Sequence, residues 1–147
     1  MNEVTMQELK QKAEELYRSG AYLCSEAVFT VVNDYLGRPL PPEAVRITSG
    51  FPVGIGHAGC TCGALNGAII ALGLKYGRTG PKQDNKKIIA LSKEVHDEFK
   101  QQFGSTCCRV LIKKFDFGSS EHLEHCIRIT GESTKMVCNK LFEGGGK

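Results

Sequence analysis

Gly54-Ile55-Gly56-His57-Ala58-Gly59 has the spacing G-x-G-x-x-G, and its reading decides between two fold classes. In a dinucleotide-binding fold this loop follows a β-strand, opens a helix and is answered by an acidic residue about 20 positions on. Here the preceding Thr48-Ser49-Gly50-Phe51-Pro52-Val53 is interrupted by glycine and proline, which makes a poor strand. No acidic residue occurs between Gly59 and Asp84. Two-residue alternation never persists long enough elsewhere to build a sheet. The motif therefore reads as a loop that needs positive φ and close backbone approach.

Outward from this loop, helical periodicity dominates. Towards the N-terminus, Met6, Leu9, Ala13, Leu16 and Tyr17 mark a helix over Thr5–Ser19, with Thr5-Met6-Gln7-Glu8 as a capping box. A second helix is expected from near Cys24 to Leu36, and a short one behind Pro41-Pro42-Glu43 through Ile47. After the loop, a helix from Cys62 or Gly63 to Tyr76 is expected. Lys82–Phe103 is the longest helical stretch, Thr106 to about Lys113 a shorter one. Glu121–Phe142 closes the series, with a break expected at Gly131. The pattern predicts an all-α fold, a compact single-domain multi-helix bundle over 1–147 with 144–147 as a disordered tail.

The chain has 147 residues, 19 basic against 16 acidic, and 41% hydrophobic residues. So even a balance argues against nucleic acid or a charged membrane surface as partner. The longest mostly apolar stretch, Gly63–Leu74, is too short to span a bilayer, so no membrane insertion is expected. Without a leader pattern after Met1, the expectation is a soluble cytoplasmic protein. Seven cysteines are many for a chain of this length, and odd in number. In a reducing compartment, that content points to metal binding or redox work more than to structural disulfides.

Cys24, Cys62, the Cys107-Cys108 pair and Cys126 fall at or near expected helix starts. The first helical turn offers unpaired N–H groups and the positive end of the dipole, both of which favour thiolate over thiol. Gly63/Gly67 and Ala64/Ala68, with Ala71, form a small-residue face that lets another helix approach, either within the chain or from a second copy in a homodimer. No C-x-x-C occurs, so neither a zinc ribbon nor a thioredoxin-like pair is indicated, and without C-x-x-C-H no haem attachment is. His57 and His125 stand near cysteines and are ligand or proton-carrier candidates, Arg109 a candidate for stabilising a thiolate. His96 and His122 carry no signal. Glu26 reads as a first-turn acid with no further role. No Ser/His/Asp order or paired-carboxylate pattern supports a hydrolase.

Cys24-Ser25-Glu26-Ala27-Val28, Cys62-Gly63-Ala64-Leu65-Asn66-Gly67, Gly104-Ser105-Thr106-Cys107-Cys108-Arg109 and Cys126 together resemble the redox-active protein family with the C…GCAxxG…C…C pattern. A related domain occurs in split-Soret cytochromes. By position, the resemblance assigns the four family cysteines to Cys24, Cys62, Cys108 and Cys126, with Cys108 preferred to Cys107 because it directly precedes Arg109. The chain departs from the pattern in having Thr61 before Cys62 and an added Cys60. Cys60, Cys107 and Cys138 then stand as extras. Three readings follow. The favoured one is an iron–sulfur cluster on the four cysteines, in an electron-transfer protein or oxidoreductase with an unidentified redox partner. The others are thiol–disulfide cycling by two of the four without metal, and a structural zinc site. In the cluster reading, Gly59, Gly63 and Gly67 supply the backbone around Cys62.

Overall fold

A computed structural model describes residues 3–143; the expected tail over 144–147 lies outside the described residues. The chain is all-α: α1 (Glu3–Arg18), α2 (Cys24–Tyr35), a 3₁₀ segment (Pro42–Thr48), the single turn α3 (Pro52–Ile55), α4 (Gly63–Tyr76), α5 (Lys86–Phe103), the single turn α6 (Cys108–Leu111) and α7 (Ser120–Glu143). No strand occurs among the described residues, so the glycine loop has no sheet to open from. Nor, among them, is any helix long and apolar enough to cross a membrane.

The centre of the fold is α4, whose small and apolar residues leave it no polar face. Such a helix has to be covered along most of its surface, and only Gly73 and Lys75 near its end are exposed. Helices α2, α5 and α7 pack around it, and α1 closes the far side against α2 and α7. Gly67 is what permits the α2 approach: a β-carbon there would stand 2.6 Å from the carbonyl oxygen of Ser25. The small-residue face is thus satisfied within the chain. Leu65 and Leu72 of α4, Val28 and Val32 of α2, Phe99 of α5 and Val137 and Leu141 of α7 fill the core beside it.

Several boundaries differ from the sequence reading for local reasons. Helix α1 already runs at Glu3, so Thr5 is an interior residue and not a cap. Helix α5 starts four residues later than expected, because Gln83 folds back to accept the N–H groups of Thr79 and Gly80 and holds a turn there. The Thr106–Lys113 segment shortens to the single turn α6. Helix α7 passes through Gly131 without a break. An added β-carbon at Gly131 would collide with the side chain of Glu14 on α1, so glycine serves there to let two helices touch. Ser119 accepts the N–H of His122 and caps the start of α7.

The glycine loop has an unusual backbone. Val53, Gly54, Ile55, Gly56 and His57 all have φ between 57° and 70°, five consecutive residues in the left-handed region. For valine, isoleucine and histidine this costs about 1–2 kcal/mol each. The turn is retained by Ile55 N–H to Phe51 O, Gly56 N–H to Pro52 O and Cys60 N–H to Gly54 O. It carries the chain back under α6: a β-carbon on Gly54 would meet Cβ of Cys108 at 2.8 Å.

Candidate functional site: a four-cysteine cavity

Each of the four family-pattern cysteines arrives from a different element. Cys24 is the first residue of α2, and its two neighbours fix it there. Ser25 Oγ donates to Thr48 O at 2.8 Å in the interior. Glu26 Oε1 accepts the Leu23 N–H at 3.0 Å, while its Oε2 accepts Ser49 Oγ–H at 2.8 Å. Glu26 therefore has a role beyond the helix dipole, as it anchors the chain that enters Cys24. The Cys24 sulfur rests on Gly63, where a β-carbon would come within 2.6 Å.

Cys62 is the N-cap of α4, so the N–H groups of Ala64 and Leu65 face its sulfur. Its own N–H donates to Thr106 O at 2.7 Å, docking it beside the segment that leads to α6. Cys108 opens α6, with Cys107 as the cap before it. Cys126 departs from the expected helix-start position. It lies in the second turn of α7, beyond the free N–H groups, where the Tyr17 hydroxyl of α1 favours its thiolate instead.

All four line one cavity of about 190 Å³, with walls of Leu23, Val53, Leu111, Ile112, Phe117, Leu123 and Ile129. Taking thiolates out of water disfavours their charge, and neighbouring thiolates disfavour it further. Burial pushes Cys62 up to about 11 against the attraction of its two helix N–H groups. Burial, followed by Cys62 and Cys108, pushes Cys126 up to about 12 despite the Tyr17 hydrogen bond. Cys24 is held higher still by burial, with Cys62 as its strongest like-charge neighbour. Cys108 is raised by burial and by Cys60. Among the described residues, no three His, Cys, Asp or Glu side chains stand together closely enough to clasp a single ion.

Two cavity residues escape the sequence reading. Tyr17 looks like an ordinary apolar-face position of α1. Its burial, and then Cys126 and Cys24, raise its own hydroxyl above the usual 10.0, which keeps it a donor. His122, in the first turn of α7, is 6% exposed and lines the cavity. Its Nδ1 accepts the Gly118 N–H at 2.8 Å, so in the neutral ring the proton sits on Nε2. Burial lowers its pKa. No short-range sequence signal marks either residue, because each enters the site through packing between distant elements.

The remaining candidates are placed elsewhere. His57 stands off the cavity wall, its ring 5.9 Å from that of Phe117. His125 does not line the cavity, and its ring lies tilted against that of Phe115 at 5.0 Å. The Arg109 side chain lies over Gly59, and its charge acts on Cys107. Of the three glycines, Gly63 lines the cavity, Gly67 packs on Ser25, and Gly59 accepts the Arg109 N–H through its carbonyl. Cys138 is wholly buried in the core away from the cavity.

Comparison with known proteins returned one family. Residues 22–140 match the sequence profile of the family described as "Putative redox-active protein (C_GCAxxG_C_C)". No curated protein and no solved structure matched the chain.

Proposed function

The chain belongs to the C_GCAxxG_C_C redox-active family, and on that premise we propose that Cys24, Cys62, Cys108 and Cys126 hold an iron–sulfur cluster for electron transfer. The observation that carries this reading is that sulfurs from four separate segments line one cavity of about 190 Å³. Four thiolates are the usual ligand complement of such clusters. Because, among the described residues, no three donors stand close enough to clasp one ion, a bound group has to span the cavity or draw the sulfurs inward.

A bound cluster supplies one-electron transfer. The chain supplies the surroundings. With the thiols raised by burial, metal binding has to displace their protons, so loading is favoured by rising pH. The N–H groups of Ala64 and Leu65 at Cys62, and of Ser25 at Cys24, offset part of the negative charge that remains. The Tyr17 hydroxyl does so at Cys126. Hydrogen bonds to ligand sulfurs are among the groups that set a cluster's potential. Leu23, Phe117 and Ile129 keep the surroundings apolar.

The test is anaerobic purification and cluster reconstitution, followed by visible absorption and assays of iron, acid-labile sulfide and zinc. Iron and sulfide should be present, and should be lost when Cys24, Cys62, Cys108 or Cys126 is singly replaced by serine. A colourless protein with one tightly held zinc per chain would overturn the reading in favour of a structural site. A metal-free protein in which one pair of the four thiols oxidises together would overturn it in favour of thiol–disulfide chemistry.

A further inference from the structure

Cys60 and Cys107 do not line the cavity, and nothing in the four-cysteine pattern uses them. Yet their sulfurs meet at 2.7 Å, the tightest contact between cysteines in the chain. Both are free thiols and both are half-buried. Their meeting is built by the backbone. The Cys62 N–H donates to Thr106 O at 2.7 Å, and the Arg109 N–H donates to Gly59 O at 3.0 Å. These two bonds run the segments 59–62 and 106–109 past each other in opposite directions. Cys60 and Cys107 fall between them. Cys107 is steadied further by its N–H, which donates to Ser105 Oγ at 3.0 Å.

We propose that Cys60 and Cys107 are a second redox site, a dithiol that exchanges with disulfides of low molecular weight to give a Cys60–Cys107 disulfide. One cysteine sulfur attacks the small disulfide, whose S–S bond breaks to release one thiol and leave a mixed disulfide on the protein. The second cysteine sulfur attacks the protein-bound sulfur of that bond, forming the Cys60–Cys107 bond and releasing the second small thiol. Two protein thiols are oxidised and one small disulfide is reduced. The two protons lost by the cysteines are carried by the two released thiols. Excess small thiol reverses the sequence. Backbone docking already holds the two sulfurs in contact, so closure asks for a shortening of that contact and not for a search between distant segments. The bond would tie together the segments that deliver Cys62 and Cys108, and it forms whether or not the cavity holds a metal group.

The experiment uses the full chain in graded mixtures of oxidised and reduced glutathione, with remaining thiols alkylated and tryptic fragments analysed without reduction. Trypsin leaves Cys60 and Cys62 in fragment 47–75 and Cys107 and Cys108 in fragment 101–109. The two fragments should become linked, and fragmentation of the linked pair should place the bond at Cys60 and Cys107. The link should survive in the Cys62→Ala/Cys108→Ala double variant and disappear in Cys60→Ala. A bond between Cys62 and Cys108 in the unmodified chain, or no link at any glutathione ratio, would overturn the proposal. Iron and sulfide content play no part in this readout, so its failure is separable from failure of the cluster reading.

Discussion

The sulfur of Cys24 lies in space that a side chain at Gly63 would need: a β-carbon on Gly63 would stand 2.6 Å from it, 3.0 Å from Phe51 O and 3.2 Å from Pro52 Cα. Two of those neighbours are backbone, so the strain cannot be relieved by turning a flexible side chain. Gly63→Ala should therefore displace Cys24 from the cavity and destabilise the fold by about 1–3 kcal/mol, the usual range for overpacking a core. Gly73, on the same helix, has nothing within 4 Å of an added β-carbon. Gly73→Ala should instead stabilise the protein by up to about 1 kcal/mol through helix propensity. Denaturant unfolding of the two variants checks both signs. Equal effects would mean that Gly63 is an ordinary helix glycine.

Buried thiols make stability depend on pH in one direction. Cys24, Cys62, Cys126 and Cys138 are all raised above the usual 9.0, with burial as the leading cause each time. Above about pH 9 the unfolded chain gives up these protons while the folded chain keeps them. The unfolded state then binds fewer protons, so stability falls as pH rises. The slope is about 1.4 kcal/mol per pH unit for each such thiol, until the folded pKa is passed. Metal-free, fully reduced protein should keep a constant unfolding midpoint up to about pH 8 and lose it steeply from pH 9 to 11. A flat profile through pH 10 would contradict the burial of these groups.

Tyr17 and Cys126 form the one pair in the cavity in which a side-chain hydroxyl stabilises a thiolate. Hydrogen bonds to charged groups contribute about 1.5–3 kcal/mol. Tyr17→Phe removes the hydroxyl while keeping the ring, so Cys126 should become a weaker acid. At a fixed pH near 9, alkylation of Cys126 in metal-free protein should slow by about tenfold for each unit by which its pKa rises. Alkylation of Cys107, outside the cavity, should not change. Peptide-resolved mass spectrometry of timed alkylation gives both rates. An unchanged Cys126 rate would remove Tyr17 from the site.

Legibility in the sequence followed the range of the interactions. The Gly63–Tyr76 helix was readable because its small and apolar run is bounded by local punctuation, and the glycine loop because no strand precedes it. Gly131 misled because its local propensity favours a break by about 1 kcal/mol, whereas the close fit of Glu14 from α1 is a long-range fact. Cys126 reads as near a helix start because the helix is expected from Glu121, yet six helical residues, Ser120 to His125, already separate it from the Ser119 cap. Expected helix starts already set Cys24, Cys62, the Cys107-Cys108 pair and Cys126 apart, and the family pattern was needed to choose Cys108 over Cys107. Tyr17, His122 and the Cys60–Cys107 contact join positions far apart in the chain, and no periodicity carries that information.

Cys138 separates packing from chemistry among the cysteines. It is fully buried on α7 within the main core and outside the cavity. A sulfur in such a place acts as a small hydrophobe. Cys138→Ala removes only that packing and should cost about 1–2 kcal/mol, within the ordinary range of single substitutions. Cys138→Ser puts a hydroxyl in the same apolar space and should cost more, by about 1–3 kcal/mol if the hydroxyl finds no partner. Cys138→Ala should also remove one thiol's share of the loss of stability above pH 9. Neither variant should change iron or sulfide content at a temperature where it is folded. Urea unfolding at pH 7 and pH 10, together with metal assays on the folded variants, tests all of this. Loss of bound iron in folded Cys138→Ala would show that the four-cysteine assignment is wrong.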